Sequence, residues 1–171
     1  MKFSEISPYD LEYTNAFRAV GKEWMLICAE DGVVGEVNAM TASWGFLGEI
    51  WNKPAAVCFI RPQRYTFHMA DGAEHFSLCF FGDGYRRELG YFGTRSGRDG
   101  NKADAMGLHY GHADEVPLVE EASLVLICRK MYADDIKEDK FTDADVRDAC
   151  YPQKDYHRIF VCEVEKCLVK A

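Results

Sequence analysis

The sequence predicts a mainly β chain with short helices, folded as a closed or nearly closed antiparallel barrel. Three observations carry this. About six short apolar runs are each bounded by Gly, Pro, Asp or Asn, as strands between turns are. The run at 24–29 leads through Asp31-Gly32 into a second apolar segment, which is a hairpin signal. No long amphipathic helices separate the runs, so a doubly wound parallel sheet is disfavoured and an antiparallel barrel fits better.

The elements follow in order. Ser7-Pro8-Tyr9-Asp10 reads as a turn or helix start, with Pro at an early position. A short helix is predicted over 11–20 and ends at Gly21. The strand at 24–29 pairs with a partner over 33–41. Residues 43–52 read as a loop, with two glycines and the aromatics Trp44, Phe46 and Trp51. A strand over 54–60 is broken by Arg61-Pro62, because Pro cannot extend a central ladder. A short helix over 64–70, a strand over 76–81 and a helix over 85–92 closed by Gly93 come next. Residues 94–101 are glycine-rich and basic, and 102–107 make a turn or two of helix. A strand over 122–131, a helix capped by Thr142 or Asp143 and a strand over 159–165 complete the chain. The piece 167–169 continues that strand past Lys166.

Composition narrows the function classes. A chain of 171 residues that is 48% hydrophobic and 28% charged reads as one domain, 1–171, with a real core. Its net charge of -8 argues against nucleic acid or an anionic membrane as partner, but not against a local basic pocket. Arg61, Arg64, Arg95, Arg98 and Lys102 stand out against the acidic background. No apolar run reaches the roughly 20 residues of a membrane helix. The start, Met1-Lys2-Phe3-Ser4-Glu5, has no apolar secretory core. Seven cysteines are an odd number, and Cys28, Cys58, Cys79, Cys128 and Cys162 sit inside apolar runs. They read as reduced core thiols of a cytoplasmic protein.

Three polar clusters interrupt the apolar runs. Asn38 to Trp44 ends a strand with amide, hydroxyl and indole groups. It is either an ordinary strand end or an edge that offers hydrogen bonds and apolar contact to a planar ring. Arg61-Pro62-Gln63-Arg64-Tyr65-Thr66 lies at a strand-to-helix junction. It is either a surface ion-pair loop or a phosphate site, since guanidinium groups and helix N-termini both favour phosphate. Ser96-Gly97-Arg98-Asp99 with Lys102 is either a solvated loop or a close-approach anion site. His109 and His112 could suggest a metal, but no third ligand stands at the usual spacing. No Walker loop, G-x-S-x-G or G-x-G-x-x-G after a strand is present.

Taken together and in order, four motifs resemble the flavin-reductase-like family with the FMN-binding split barrel, most closely its flavoredoxin branch. They are N-A-M-T-A-S-W-G at 38–45, W-N-K-P at 51–54, R-P-Q-R-Y-T at 61–66 and S-G-R-D-G-N-K at 96–102. The resemblance runs from about Trp24 to the last strand. It implies a Greek-key split β-barrel that forms a homodimer, with FMN near the interface. By similarity, Asn38, Met40, Thr41, Ala42, Ser43 and Trp44 would hold the flavin ring. Arg61, Arg64, Tyr65 and Thr66 would serve the ribityl and phosphate end, where Ser96, Gly97 and Lys102 would close. His157, with Tyr156, matches an Asp-His element beside the flavin and nicotinamide, and is the candidate catalytic residue. Two positions depart from the pattern. Asn101 stands where Asp often precedes the lysine, and Tyr156 intervenes between Asp155 and His157.

The expected function is that of an FMN-dependent oxidoreductase, a flavin reductase or flavoredoxin-like carrier. It would take hydride or electrons from NAD(P)H or a redox partner, with the chemistry belonging to the cofactor. The alternative is a non-catalytic flavin- or ligand-binding module on the same barrel.

Overall fold

A computed structural model describes residues 3–11 and 14–171. Its strands are β1 (Phe3–Ile6), β2 (Met25–Glu30), β3 (Val37–Ala42), β4 (Gly45–Ile50), β5 (Lys53–Ile60), β6 (His75–Phe80), β7 (Tyr110–Ala113), β8 (Val116–Val119), β9 (Leu124–Asp135) and β10 (Arg158–Lys170). The α-helices are short: α1 (Ala16–Arg18), α2 (Thr66–Gly72), α3 (Arg86–Thr94), α4 (Lys102–Met106) and α5 (Ala144–Cys150).

Eight strands form one antiparallel sheet in the order β3-β2-β6-β9-β10-β5-β4, with β1 added on β10. The consecutive strands β3 and β4 lie at opposite ends of that order, yet only Ser43 and Trp44 join them. A chain that short spans at most about 10 Å. Six strand spacings in a flat sheet would take about 29 Å. The sheet therefore curls until its two ends meet, which makes it a barrel. The seam is split along β10. One edge of β10 pairs with β9 throughout, while the other pairs first with β5 (Arg158 to Glu163) and then with β1 (Cys167 to Lys170). Register shifts after Val161 and around Glu165 bend β10 from one neighbour to the next. The architecture is the expected mainly β split barrel with short helices.

Period-two alternation explains why the central runs are continuously apolar. In β2, Met25, Ile27 and Ala29 face the barrel interior with Phe76 and Phe160. Leu26 and Cys28 face outward, but are buried beneath Leu89, Phe92 and Leu118. The β7–β8 hairpin and α3–α4 thus cover the outer face of β2, β6 and β9. All seven cysteines are unpaired thiols, and only Cys150 is not fully buried.

Several local expectations change. Residues 45–50, expected as loop, form the edge strand β4. An edge strand needs only one ladder, and Gly45 is there for packing: a Cβ would sit 2.7 Å from the Val57 carbonyl oxygen. The partner of β2 begins at Val37, not 33, because the Asp31 carboxylate accepts from the Val33 and Val34 N–H groups and closes a turn. This side-chain turn overrides the β-propensity of the two valines. The N-terminal helix starts at Ala16 and continues as a wider turn through Gly21 to Glu23. The positive φ of Trp24 stops it, rather than Gly21. Residues 1–2 and 12–13, part of the expected N-terminus and of this helix, lie outside the described residues. Helix α3 likewise runs past Gly93 to Thr94, and Gly93 lets it approach Thr41, 3.5 Å from where a Cβ would be. Strands β1, β7 and β8 were too short to show as apolar runs.

Candidate functional site

The seam between β3, β5 and α3–α4 opens into a trough with two lobes. One, of about 220 Å³, is lined by Arg64, Thr66, Arg95, Ser96, Arg98 and Lys102, together with Met40, Gln63, Tyr65 and residues 93, 94 and 97. The other, also about 220 Å³, is lined by residues 40–44 with Phe59, Arg61, Arg64 and His157. Met40 and Arg64 line both, so the lobes adjoin. Among the described residues no carboxylate lines either lobe, although the chain carries 28 acidic residues.

The cationic lobe is built from buried charge. Lys102 sits in the first turn of α4, is only 4% exposed, and donates from Nζ to the Ala39 carbonyl at 2.6 Å. Burial, helped by the Arg64 charge, pushes its ammonium down to about 8. Asn101 caps α4, accepting from the Ala103 and Asp104 N–H groups. Asp and Asn cap about equally well, so Asn101 preserves the placement of the lysine. Arg64 donates to the Gly93 and Phe92 carbonyls at 3.1 and 3.3 Å, tying β5's exit to the end of α3. Burial lowers its guanidinium below the ordinary value. Gly97 fits where little else can: a Cβ would lie 2.5 Å from both Asn38 Oδ1 and Tyr65 Cδ1. Ser96 Oγ accepts from the Arg98 N–H at 3.2 Å, which leaves its own proton available toward the lobe. Arg98 stacks on Tyr65, 4.9 Å from the ring centre, and Tyr65 donates to Glu36 at 2.7 Å.

The aromatic lobe is built around the β3–β4 link. Ser43 and Trp44 lie outside both ladders. The Trp44 ring, 43% exposed, lies 5.0 Å from the His157 ring. The Thr41 hydroxyl donates to the Leu89 carbonyl at 2.5 Å, fixing β3 to α3. Arg61 is held by Asp155 through an ion pair and donates to the Cys150 carbonyl at 2.9 Å. It thereby pins the segment after α5 over the lobe. His157 is bonded at Nδ1 to the Tyr151 hydroxyl at 2.9 Å. Burial, and next the Arg61 charge, push its imidazole down to about 4. It is neutral at physiological pH.

Of the residues singled out in the sequence, Met40, Thr41, Ala42, Ser43, Trp44, Arg61, Arg64, Tyr65, Thr66, Ser96, Gly97, Lys102 and His157 line the trough. Two do not. Asn38 is buried behind Gly97, and its amide donates to Thr66 Oγ1 at 2.7 Å. Tyr156 packs outside the lobe on Tyr151 and Phe141. Arg61, expected at the phosphate end, stands in the aromatic lobe, because Pro62-Gln63 turns the chain between the two arginines. Arg95 and Arg98 also face the cationic lobe; their clustering among glycines was the signal for them. Phe59 and Tyr151 carried none, since one reads as a core strand residue and the other as a helix end. The two candidate metal histidines bind different carboxylates, His109 to Glu121 at 2.7 Å and His112 to Glu30 at 2.6 Å.

A family model described as flavin reductase like domain matches residues 17–171. Among solved structures, flavoredoxin of Desulfovibrio vulgaris (Miyazaki F) is similar at 19% identity and a TM-score of 0.68, covering 99% of this chain and 77% of that one. A protein with a split barrel domain from Shewanella frigidimarina matches at 18% identity and a TM-score of 0.68, covering 99% and 80%. An FMN-binding protein from Thermus thermophilus matches at 22% identity and a TM-score of 0.63, covering 84% and 69%. At these identities the likeness is one of fold. No curated protein sequence matches the chain.

Proposed function

The chain belongs to the flavin reductase like family, and from that premise we propose that it is an FMN-binding oxidoreductase that passes electrons from NAD(P)H or a redox protein. One observation carries the reading: two adjoining lobes lined by no carboxylate among the described residues, one rich in cations and the other bringing Trp44, Phe59 and His157 beside Arg61 and Arg64. This polarity suits a ligand with a phosphate tail and a planar head.

The residues fit that ligand. Lys102 holds an ammonium at an energetic disadvantage, which a phosphate dianion would offset. Arg64, Arg95, Arg98 and Ser96 supply further donors there, and Gly97 permits close backbone approach. Arg98, stacked on Tyr65, adds a further cation to the wall of this lobe. At the other end, residues 41–44 and Met40 would hold the ring edge and face. When bound, FMN supplies the hydride-accepting centre. The chain's own contributions are positional and electrostatic. Arg61 and Arg64 favour negative charge on the ligand between them, while Trp44 and Phe59 offer apolar contact to its head. His157, neutral, offers a hydrogen bond rather than a proton. Asn38 acts indirectly, by holding Thr66 behind Gly97.

The proposal includes a homodimer. Among the described residues β4 has one ladder partner, β5, and its other edge is unpaired; an apolar groove beside the aromatic lobe is flanked by Phe17 and Phe46, which are 91% and 65% exposed. Such an edge is normally covered. Seven unpaired thiols fit a reducing, cytoplasmic setting.

Anaerobic titration tests the reading. Purified protein loaded with FMN should bleach on addition of NADH, NADPH or a reduced redox protein. FMN bound but bleached by none of these donors would leave a binding module only. Failure to bind FMN at all would overturn both readings.

A further inference from the structure

The contact between Tyr151 and His157 has a consequence for which atom the histidine shows to the trough. Tyr151 ends α5 and is 5% exposed. Its hydroxyl is hydrogen-bonded to His157 Nδ1 at 2.9 Å, and the His157 backbone N–H also faces the phenol oxygen. A phenol has a single proton to donate, and burial raises the phenol above its ordinary range, so it keeps that proton. A neutral imidazole carries its proton on one nitrogen only. Were that nitrogen Nδ1, it would donate to the phenol oxygen, and the buried O–H would have no acceptor among the described residues. With the phenol donating to Nδ1, every proton is placed, and Nε2 carries the imidazole hydrogen. Nε2 has no protein partner among the described residues, and His157 lines the aromatic lobe.

We propose that Tyr151 is a positioning residue that locks His157 in the Nε2–H tautomer, so that His157 acts as a neutral hydrogen-bond donor to an acceptor atom of the ligand's planar head. The surroundings hold the pair in place. Trp44 lies 5.0 Å and Phe59 6.4 Å from the imidazole centre. Tyr156 stacks on Tyr151 from behind, at 4.9 Å. The Arg61 guanidinium lies 5.1 Å from the Tyr151 ring centre and bonds the Cys150 carbonyl next to it. Tyr156, the residue inserted between Asp155 and His157, therefore belongs to the wall that carries Tyr151. The carboxylate of Asp155 is turned to Arg61 and Gln63, and is not the partner of the imidazole. A hydroxyl thus stands where a carboxylate would otherwise orient the ring. A phenol orients without adding negative charge, so it leaves the imidazole neutral.

This inference rests on the flavin reading only for the identity of the acceptor; the tautomer is a property of the protein alone. It is tested by nitrogen-15 NMR of histidine-labelled protein, first free of flavin and then with FMN. His157→Gln assigns the signal among the five histidines. Between pH 6 and 8 the wild type should show a pyridine-type Nδ1 and a pyrrole-type Nε2, with the Nε2–H signal shifting when FMN is added. Tyr151→Phe should convert this to a tautomer mixture and weaken FMN and riboflavin alike by about three- to tenfold. An Nδ1–H tautomer or an imidazolium in the wild type would overturn the inference without needing the variant. So would a Tyr151→Phe protein with the tautomer unchanged. A correct tautomer in a protein that binds no FMN would sustain the positioning role and overturn the flavin reading instead.

Discussion

Lys102→Met separates a structural lysine from one held in readiness for a phosphate. Lys102 is 4% exposed, and its ammonium donates to one carbonyl, Ala39 O at 2.6 Å. Its fall from 10.5 to about 8 corresponds to a cost of roughly 3 kcal/mol for keeping it charged near neutral pH. Methionine removes that cost but leaves the carbonyl without its donor, at roughly 1–3 kcal/mol. The flavin-free variant should therefore be as stable as wild type, or up to about 2 kcal/mol more stable. The sign with pH follows from the depressed value. Between about 8 and 10.5 the folded state binds fewer protons than the unfolded one, so wild-type stability climbs as pH rises through that window. The variant should lose the climb. Ligand binding should move the other way: losing one charge-assisted bond to phosphate costs roughly 1.5–3 kcal/mol, or tenfold to above a hundredfold. Riboflavin, which has no phosphate, should change little. Urea unfolding of flavin-free protein at pH 7 and 9.5, with fluorescence titrations of FMN and riboflavin, measures all of this. A variant destabilised by more than about 2 kcal/mol that binds both flavins as before would refute the reasoning and make Lys102 a strut.

Two further outcomes follow from the same geometry. Gly97→Ala places a methyl 2.5 Å from Asn38 Oδ1 and Tyr65 Cδ1, so the loop must withdraw; FMN affinity should drop by about tenfold or more, and unchanged affinity would show that the loop does not approach the ligand. His157, held at about 4 rather than 6.5, makes stability constant above about pH 6.5 and lost as pH falls from there through 4, by roughly 1–2 kcal/mol after allowance for solvent. His157→Gln should flatten that loss in acid unfolding curves, and an undiminished loss would place the titrating group elsewhere.

Most of the barrel was legible because its central strands are buried on both faces. Met25 to Ala29, Phe76 to Phe80 and Leu124 to Cys128 read as continuous apolar runs that no helix period explains. The edge strand β4 was not legible. It buries one face only, and Gly45 and Gly48 resemble turn residues until the Val57 carbonyl is seen against Gly45. The strand start at Val37 was hidden for a similar reason, since the Asp31 turn depends on a side chain reaching two N–H groups.

The candidate site divides in the same way. Lys102, Arg64, Gly97 and the 40–44 segment announce themselves by their chemistry: cations, a glycine and hydroxyls where a core strand would carry Val or Ile. These residue types, in this order, determined the family and the kind of ligand to expect. Tertiary structure alone decided which of them meet. It set Arg61 beside His157 rather than beside Lys102, and withdrew Asn38 behind Gly97. It also brought in Tyr151, whose hydroxyl meets Nδ1 in a segment that Arg61 ties down at Cys150 and Asp155. Residue type is local and can be read along a chain, whereas the partner of a hydrogen bond or a buried charge depends on segments that only folding brings together.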